Sequence, residues 1–427
     1  VNKELKVSYE ILKKIYIDGA YVSIELNKFL STGANINNAL VTKIVYGVLE
    51  KDISLEYFVS HFVKKLPKIE ILILLKMVTY VAKNISSIPP FALVNEIVNL
   101  SKGVDPHQSG FVNATCKNLI AKKVPLPNRN TALTKYLSVR YNYPEWVIIE
   151  LLKKHNLDFV EALLSEELPS DTHVRVNLDK ISADDFKSKL TEKGIRYTDG
   201  LSDELMYVDY AELLKTDLKD LCIVQGLPSI ITCKAMGAVR GKVLDTCAAP
   251  GGKSVYLAQN RDLDVYACDI HKHRVELIKK YAKSLQLDNV KCFEQDATKP
   301  NSDWVGKFDY VMCDVPCSNL GVSRKKPDVF LNKSLSDVKT LAGLQYQILN
   351  NSAKYVKSGG ILQYSTCTIL DNENSAVITK FLKNNPDFTL TKIDTFGLNI
   401  TDENSMYTFY PNLTHTEGFF IGRMVRK

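Results

Sequence analysis

The stretch Val243-Leu244-Asp245-Thr246-Cys247-Ala248-Ala249-Pro250-Gly251-Gly252-Lys253-Ser254 limits what this 427-residue chain can fold into more than any other. Val243 and Leu244 supply apolar strand residues and Asp245 ends the strand. Pro250-Gly251-Gly252 then permits a sharp turn before a helical run opens at Lys253. A strand, a glycine turn and a helix in that order make a ligand-bearing corner of an α/β sheet. The glycines let a ligand approach the main chain, and the helix start aims unpaired N–H groups at it.

Spacing narrows the ligand. A phosphate loop requires G-x-x-x-x-G-K-[ST], and Gly252-Lys253-Ser254 fits its end, but Cys247 stands where the first glycine belongs. The dinucleotide fingerprint G-x-G-x-x-G is also absent. The turn therefore suits a nucleoside without a phosphate chain, such as S-adenosylmethionine. A second strand at 264–268 leads to Asp269, placed to accept hydrogen bonds from ribose hydroxyls. A third at 290–293 leads to Asp296, placed to reach the adenine or methionine end. One acidic residue alone is usually a solvated strand end, but three at successive strand ends mark a ligand cleft.

Beyond this corner, strands and helices alternate as a doubly wound sheet demands. Residues 271–285 read as a helix with Val275, Ile278 and Ala282 on one face. Residues 308–313 form a fourth strand, 341–356 a helix, and 361–364 a fifth strand after a turn at Gly359-Gly360; the last strand is expected at 418–425. The fourth strand runs into Asp314-Val315-Pro316-Cys317-Ser318 and the fifth into Ser365-Thr366-Cys367-Thr368. Two cysteines thus stand past neighbouring strand ends, beside the inferred cofactor cleft.

That pairing points to a reaction. Nitrogen and oxygen acceptors of a methyl group are already nucleophilic, whereas carbon 5 of a pyrimidine is not. A thiolate adding to carbon 6 pushes electron density onto carbon 5, and cysteine is the side chain best suited to this addition. A carboxylic acid at the base edge helps by protonating or hydrogen-bonding ring nitrogen 3, and Asp314 is placed for that work. A second thiol can assist release. Most cysteines are small buried hydrophobes, yet Pro-Cys and Thr-Cys at adjacent strand ends outweigh that reading. Position alone leaves open which of Cys317 and Cys367 attacks.

The net charge of +7 lies wholly in residues 1–130, which hold 17 Lys and Arg against 10 Asp and Glu, while the remainder balances at 38 against 38. Such a footprint suits phosphate binding, and a lysine-rich solvated surface has the same count. This third reads as helical throughout: Leu5, Tyr9, Leu12, Ile15 and Tyr16 recur at helical spacing, and Ile88-Pro89-Pro90 breaks one helix from the next. A proline-containing connector at 124–130 follows. After an apolar helix opened by Pro144, short strands at 173–177 and 205–208 flank a helix at 183–193, a small α+β subdomain. Arg175 and Asn177, single polar residues in that first strand, are expected to be structural rather than RNA contacts. The nine cysteines include no C-x-x-C pair, which argues against a zinc site and a disulfide framework and for a reducing cytoplasm. No metal site and no membrane span are expected, because the longest apolar run, 69–81, is broken by Lys76 and falls short of the ~20 residues that cross a bilayer.

Two resemblances extend this reading. Within 91–120, the runs A-L-V-N-E-I-V-N-L-S-K and G-F-V-N-A-T-C-K-N-L-I resemble the RNA-binding helical domain of the NusB family. From 136 onward the chain resembles the RNA cytosine-5 methyltransferases, through C-A-A-P-G-G-K at 247–253, D-I at 269–270, D-V-P-C-S-N-L-G at 314–321 and Y-S-T-C-T at 364–368. Together they resemble the bacterial members of that family that act on 16S ribosomal RNA. The resemblance implies an α/β chain in three parts: a NusB-like helical RNA-binding domain at 1–130, a helical linker with the small α+β subdomain at 131–225, and a Rossmann-like methyltransferase domain at 226–427. It implies that Cys367 is the covalent nucleophile and Cys317 the cysteine that helps release product. Cys247, Ala248, Ala249, Pro250, Gly251, Gly252 and Lys253, with Asp269, Asp296 and Asp314, then contact S-adenosylmethionine.

Departures from the family pattern are mild: Val315 replaces an alanine, Ser254 a threonine, Glu417 an aspartate, and Lys326 a histidine. The basic loop Ser323-Arg324-Lys325-Lys326-Pro327-Asp328 is read as a phosphate contact near the target base. The expected protein is a cytoplasmic monomer acting on ribosomal RNA, naked or in a partly assembled small subunit. Two competing readings are a cytosine-5 enzyme for transfer RNA, which shares every catalytic residue, and a non-enzymatic NusB-like RNA-binding or antitermination factor. The front domain favours ribosomal RNA over the first, and the intact cysteine motifs and cofactor turn count against the second.

Overall fold

The computed structural model describes residues 3–33 and 35–427. The chain forms two compact units, Val1–Ser165 with Ser323–Leu335, and Glu166–Val322 with Ser336–Lys427.

The first unit is helical. Its centre is Ile69–Asn84, in which every residue from Ile71 to Val81 is buried. A helix apolar on all faces can only be a core helix, and Lys3–Asp18, Asn38–Glu50, Pro90–Val104 and Ser109–Ala121 supply the side chains around it. Lys76 interrupts the apolar run and is nevertheless 1% exposed, because its ammonium lies 2.5 Å from Asp52 and 2.8 Å from Glu56. Charge pairing, not solvent, accommodates it. The unit continues past the connector through Leu133–Tyr141, Glu145–Leu152 and Leu157–Ser165. Asn142 ends the first of these in the left-handed region, and its side-chain Oδ1 accepts the Ser54 N–H at 2.9 Å.

Residues Ser323–Leu335 pack within this helical unit. Asp328 Oδ2 accepts the Val22 N–H at 3.2 Å, satisfying the start of the helix Val22–Leu30. Phe330 meets the Tyr143 ring edge-on at 5.1 Å. Arg324 lies 5.0 Å from the same ring and donates to the Leu164 carbonyl. The expectation of a wholly phosphate-facing basic loop is therefore corrected for Arg324, whose guanidinium is held inside. Lys325 and Lys326 remain exposed.

The second unit holds two sheets. Strands β1 (Thr172–Val176), β2 (Tyr197–Asp199), β3 (Leu205–Val208) and β4 (Cys222–Val224) pair antiparallel in the order β2-β3-β1-β4. The helix Ala183–Glu192, capped by Ser182 on the Asp185 N–H, buries Phe186 and Leu190 against Val174, Val176, Met206 and Val208. Arg175 is 3% exposed, donates through Nε to Gln225 at 2.8 Å and through Nη1 to Gln259, and sits over the Tyr256 ring. It fastens β1 to the helix Gly252–Ala258, a structural role as expected.

The larger sheet comprises β5 (Gly241–Asp245), β6 (Leu263–Asp269), β7 (Val290–Glu294), β8 (Phe308–Asp314), β9 (Val356–Thr366), β10 (Phe388–Leu390), β11 (Thr401–Asp402), β12 (Met406–Phe409) and β13 (Phe419–Arg426). Its order is β11-β12-β13-β9-β8-β5-β6-β7, with β10 on β13. Strands β5 to β9 run parallel, and β13 joins β9 antiparallel. The order reverses between β5 and β8, so a crevice opens at their carboxyl ends, where such sheets bind ligands. Helix Lys272–Ser284 buries Val275, Ile278 and Ala282 as expected.

Two expectations need correction. Gly359-Gly360 is not a break between elements. Strand β9 runs through it, with Gly359 at φ +76° and a register shift opposite Phe308 and Tyr310, as in a bulge. The helix expected at 341–356 spans Leu335–Ser352 instead. Among the described residues no helix is long and apolar enough to cross a membrane.

Candidate active site

The strand ends of the second unit bring the predicted site residues to one edge of its sheet. Asp245 closes β5 and is buried; its Oδ2 accepts the Ser254 hydroxyl at 2.7 Å, while its buried Oδ1 has no hydrogen-bond partner. Burial pushes this carboxyl up to about 7. The turn that follows contains a cis Ala249-Pro250 bond and Gly251 at φ +112°, a conformation that glycine adopts without a Cβ penalty. Ala248 N–H donates to the Cys268 carbonyl at 2.7 Å, tying the turn to β6. Ala248 packs with Ala267 and Ile278, and burial pushes the Cys247 thiol far up, so that sulfur is a packing group.

Asp269 closes β6 with 4% exposure. It accepts the His271 N–H at 3.1 Å, and Arg274 stands 3.4 Å from its other oxygen. Asp296 lies two residues past β7, where its Oδ1 accepts the N–H and hydroxyl of Thr298 at 2.9 and 2.6 Å. Those bonds hold its carboxyl below its ordinary range. A carboxylate has about four acceptor positions, so both groups keep capacity for a ligand.

Asp314 closes β8. Lys253 Nζ reaches its Oδ2 at 2.6 Å and the Ser365 hydroxyl its Oδ1 at 2.8 Å. Burial works against the Lys253 charge, but the Asp314 carboxylate outweighs it and holds the ammonium above its ordinary range. Three residues later stands Cys317, and directly after β9 stands Cys367; their sulfurs are 3.1 Å apart. The Cys367 sulfur and burial together push the Cys317 thiol well up. The parallel pairing of β8 with β9, Asp314 opposite Ser365, is what brings the two motifs together.

Sequence reasoning passed over the groups that hold this arrangement. Glu373, fully buried, accepts the Ser318 N–H at 2.8 Å and Gln345 Nε2 at 2.9 Å, and burial pushes its carboxyl up. Asn374 takes the Thr366 hydroxyl at 2.6 Å and donates to the Thr368 carbonyl at 3.0 Å. Asn319, at φ +61°, places its carbonyl oxygen 2.8 Å from Cys367 Sγ. The only signals available were the polar run Asp371-Asn372-Glu373-Asn374 after the Thr-Cys motif and an asparagine within the Pro-Cys motif.

The donor set suits a cationic nucleoside. Three carboxylates stand at or just past consecutive strand ends, with a buried oxygen of Asp245 that has no hydrogen-bond partner, and each carboxylate already has a cation: Lys253 on Asp314 at 2.6 Å, Arg274 on Asp269 at 3.4 Å and Lys299 on Asp296 at 3.6 Å. Such a cleft offers carboxylate acceptors to the hydroxyls and amines of a nucleoside, and its cations are already engaged rather than free to hold a phosphate chain.

The family described as "16S rRNA methyltransferase RsmB/F" matches residues 238–425, and the "NusB family" matches residues 5–121. The "Probable ribosomal RNA small subunit methyltransferase B" of Bacillus subtilis (strain 168) is 30% identical over 443 residues, covering 99% of this chain and 98% of that protein. The "Ribosomal RNA small subunit methyltransferase B" of Shewanella oneidensis is 27% identical, covering 99% and 97%. Among solved structures, PH0851 shares the fold with a TM-score of 0.83 at 21% identity, covering 98% and 97%. A methyltransferase homologue from Pyrococcus horikoshii aligns at a TM-score of 0.58 and 26% identity, covering 68% of this chain and 98% of its own.

Proposed function

The chain belongs to the family of 16S rRNA methyltransferases RsmB/F, and from that membership we propose that it methylates carbon 5 of one cytosine in 16S ribosomal RNA through a covalent bond from Cys367 to carbon 6. It is an S-adenosylmethionine-dependent enzyme. When bound, that cofactor supplies an electrophilic methyl group on a cationic sulfur. The residues that would hold it are the turn Cys247 to Lys253 together with Asp269, Asp296 and Asp314.

The observation that carries this reading is the pair of sulfurs 3.1 Å apart at the carboxyl ends of β8 and β9. The Cys367 sulfur adds to carbon 6 as its thiol proton passes to ring nitrogen 3, so that an S–C bond forms, the carbon 5–carbon 6 double bond is lost and carbon 5 becomes nucleophilic. Asp314, held by Lys253 and Ser365, accepts a hydrogen bond from the exocyclic amine or from ring nitrogen 3 once that nitrogen is protonated. After methylation carbon 5 gives its proton to solvent, the electron pair left behind re-forms the carbon 5–carbon 6 double bond and breaks the S–C bond, and Cys367 leaves with the proton that ring nitrogen 3 held, its departing sulfur met by the Cys317 thiol. The base must be unstacked for a thiol to reach its face.

The NusB-like part, residues 1–130 in the three-part division, grips the RNA. Its exposed Lys64, Lys65, Lys122 and Lys123 belong to the segments that carry the excess charge, and Lys122 Nζ lies 5.9 Å from the ring of Phe62, two residues before Lys64. This domain favours ribosomal over transfer RNA. The protein acts in the cytoplasm as a single chain.

Covalent trapping tests the reading. Cys317→Ala is incubated with S-adenosylmethionine and unmodified ribosomal RNA, and protein that migrates with RNA under denaturing conditions is sought. A shifted species that vanishes when Cys367 is also removed supports the assignment. A species formed only by Cys367→Ala reverses it, and methyl transfer without any adduct rules the thiol route out.

A further inference from the structure

The mechanism above leaves one polar side chain at the sulfurs without a task. Asn319 lies two residues past Cys317, its Oδ1 2.8 Å from Cys367 Sγ and 4.0 Å from Cys317 Sγ. Its backbone is at φ +61°, in the left-handed region where a side chain costs energy and asparagine is among the few residues that tolerate it. Both ends of the contact are tied down. Asn319 O accepts the Val322 N–H at 3.1 Å, Gly321 N–H donates to the Cys367 carbonyl at 3.0 Å, and Gly418 N–H donates to the Gly321 carbonyl at 2.8 Å.

Proton bookkeeping orders the three groups. Each neutral thiol has one proton. With the Cys367 proton on Asn319, the Cys317 proton has two acceptors in reach, the Cys367 sulfur at 3.1 Å and the same Asn319 oxygen at 4.0 Å, and the shorter contact is the one to the sulfur. The chain of donors therefore runs from Cys317 to Cys367 to Asn319. Once Cys367 loses its proton, a fixed carbonyl oxygen would face a negative sulfur. A half-turn about the last torsion of asparagine, which is soft and nearly two-fold, brings the NH₂ group there instead. A hydrogen bond to an ionised partner is stronger than one from a thiol, so the exchange favours the thiolate.

The geometry points to Asn319 as a positioning residue for the nucleophile of the proposed reaction: it holds the Cys367 sulfur in place at 2.8 Å and supports it as a thiolate on attack. This rests on the covalent reading of Cys367. The other titratable groups around the sulfur are Cys317 on the Asn319 loop, Asp314 with its partner Lys253 at the end of β8, Glu373 on the turn after Cys367, and Glu417 before Gly418. The substitutions below leave all of them in place.

The test is the pH profile of Cys367 alkylation by iodoacetamide in the full chain, followed on the Cys367 peptide by mass spectrometry, with neither RNA nor cofactor present. Asn319→Gly suits the backbone, since φ +61° is glycine's own region, so the fold is retained. Asn319→Asp keeps the shape but cannot turn a donor to the sulfur. The expected result is a profile midpoint about one pH unit higher in Asn319→Gly, with alkylation at pH 7 about tenfold slower, and a larger rise in Asn319→Asp. An unchanged or lowered midpoint overturns the proposal whatever the trapping experiment shows. Absence of the RNA adduct in that experiment would instead overturn the covalent reading, so the two failures are told apart.

Discussion

Glu373 accepts the backbone N–H of Ser318 at 2.8 Å and stands 2.5 Å from its hydroxyl, so a buried carboxyl after β9 clamps the turn that carries Cys317 after β8. Removing it strands the Ser318 N–H in a buried place and leaves Gln345 Nε2 with only its bond to the Pro316 carbonyl. Glu373→Ala is expected to destabilise the chain by about 3 kcal/mol, with Glu373→Gln costing less because one acceptor survives. Urea unfolding of both variants checks the order, and equal costs would mean the clamp is unimportant.

Gly321 is the point where two backbones touch. A Cβ there would come within 2.0 Å of the Gly418 carbonyl oxygen and 2.9 Å of the Cys367 carbonyl oxygen. Backbone atoms cannot swing aside as a flexible side chain can. Gly321→Ala is therefore expected to displace Cys367 and lower methyl transfer by roughly a hundredfold, the order of loss that accompanies a 1 Å misplacement. Single-turnover rates on ribosomal RNA check this; a rate near that of the unaltered chain would show that the strand ends yield.

Asp245 makes stability depend on pH. Burial raises its carboxyl from an ordinary 3.8 to about 7, so the folded chain binds this proton more tightly than the unfolded chain. Its contribution is full below the unfolded value and is lost as pH rises through about 7. Denaturation midpoints of the methyltransferase unit should fall between pH 5 and pH 8 by an amount worth roughly 2–3 kcal/mol, and Asp245→Asn should flatten that slope. An identical slope in the variant would assign the pH dependence to other groups.

Lys76 holds the helical unit together by charge in an apolar place. Lys76→Ala leaves Asp52, 18% exposed, without its buried partner and opens a cavity beside Tyr16. A loss of about 3 kcal/mol is expected, while Lys76→Met, which fills the space, should lose less. Thermal unfolding of the full chain distinguishes the two, and equal losses would show that charge, not volume, dominates.

The local grammar of the chain was legible from its residues. Strand, glycine turn and helix at 243–258, the three acidic strand ends, the buried face of the helix at 272–284 and the two cysteine motifs all follow from patterns that neighbouring residues set together. Strand β9 was read short because two consecutive glycines signal a turn, whereas the β8 pairing carries the strand through them as a bulge. Strands β10 to β12 were not anticipated, since segments of two to four residues acquire strand geometry only from the partner they pair with.

What the sequence by itself determined was therefore the set of residues at the strand ends: a glycine turn, acidic side chains and two cysteine motifs, each at or just past the end of a strand. Only the tertiary structure decided their relations. Cys317 and Cys367 are fifty positions apart and meet at 3.1 Å because β8 and β9 pair in parallel register. Arg324 points into the helical unit rather than to a phosphate, and Lys253 spends its charge on Asp314. Glu373 and Asn319 act on groups that no local pattern connects to them. The physical reason is range. Helix and turn preferences act over three or four residues, whereas strand pairing, burial and the pairing of charges in a low-dielectric interior depend on partners that only folding brings close.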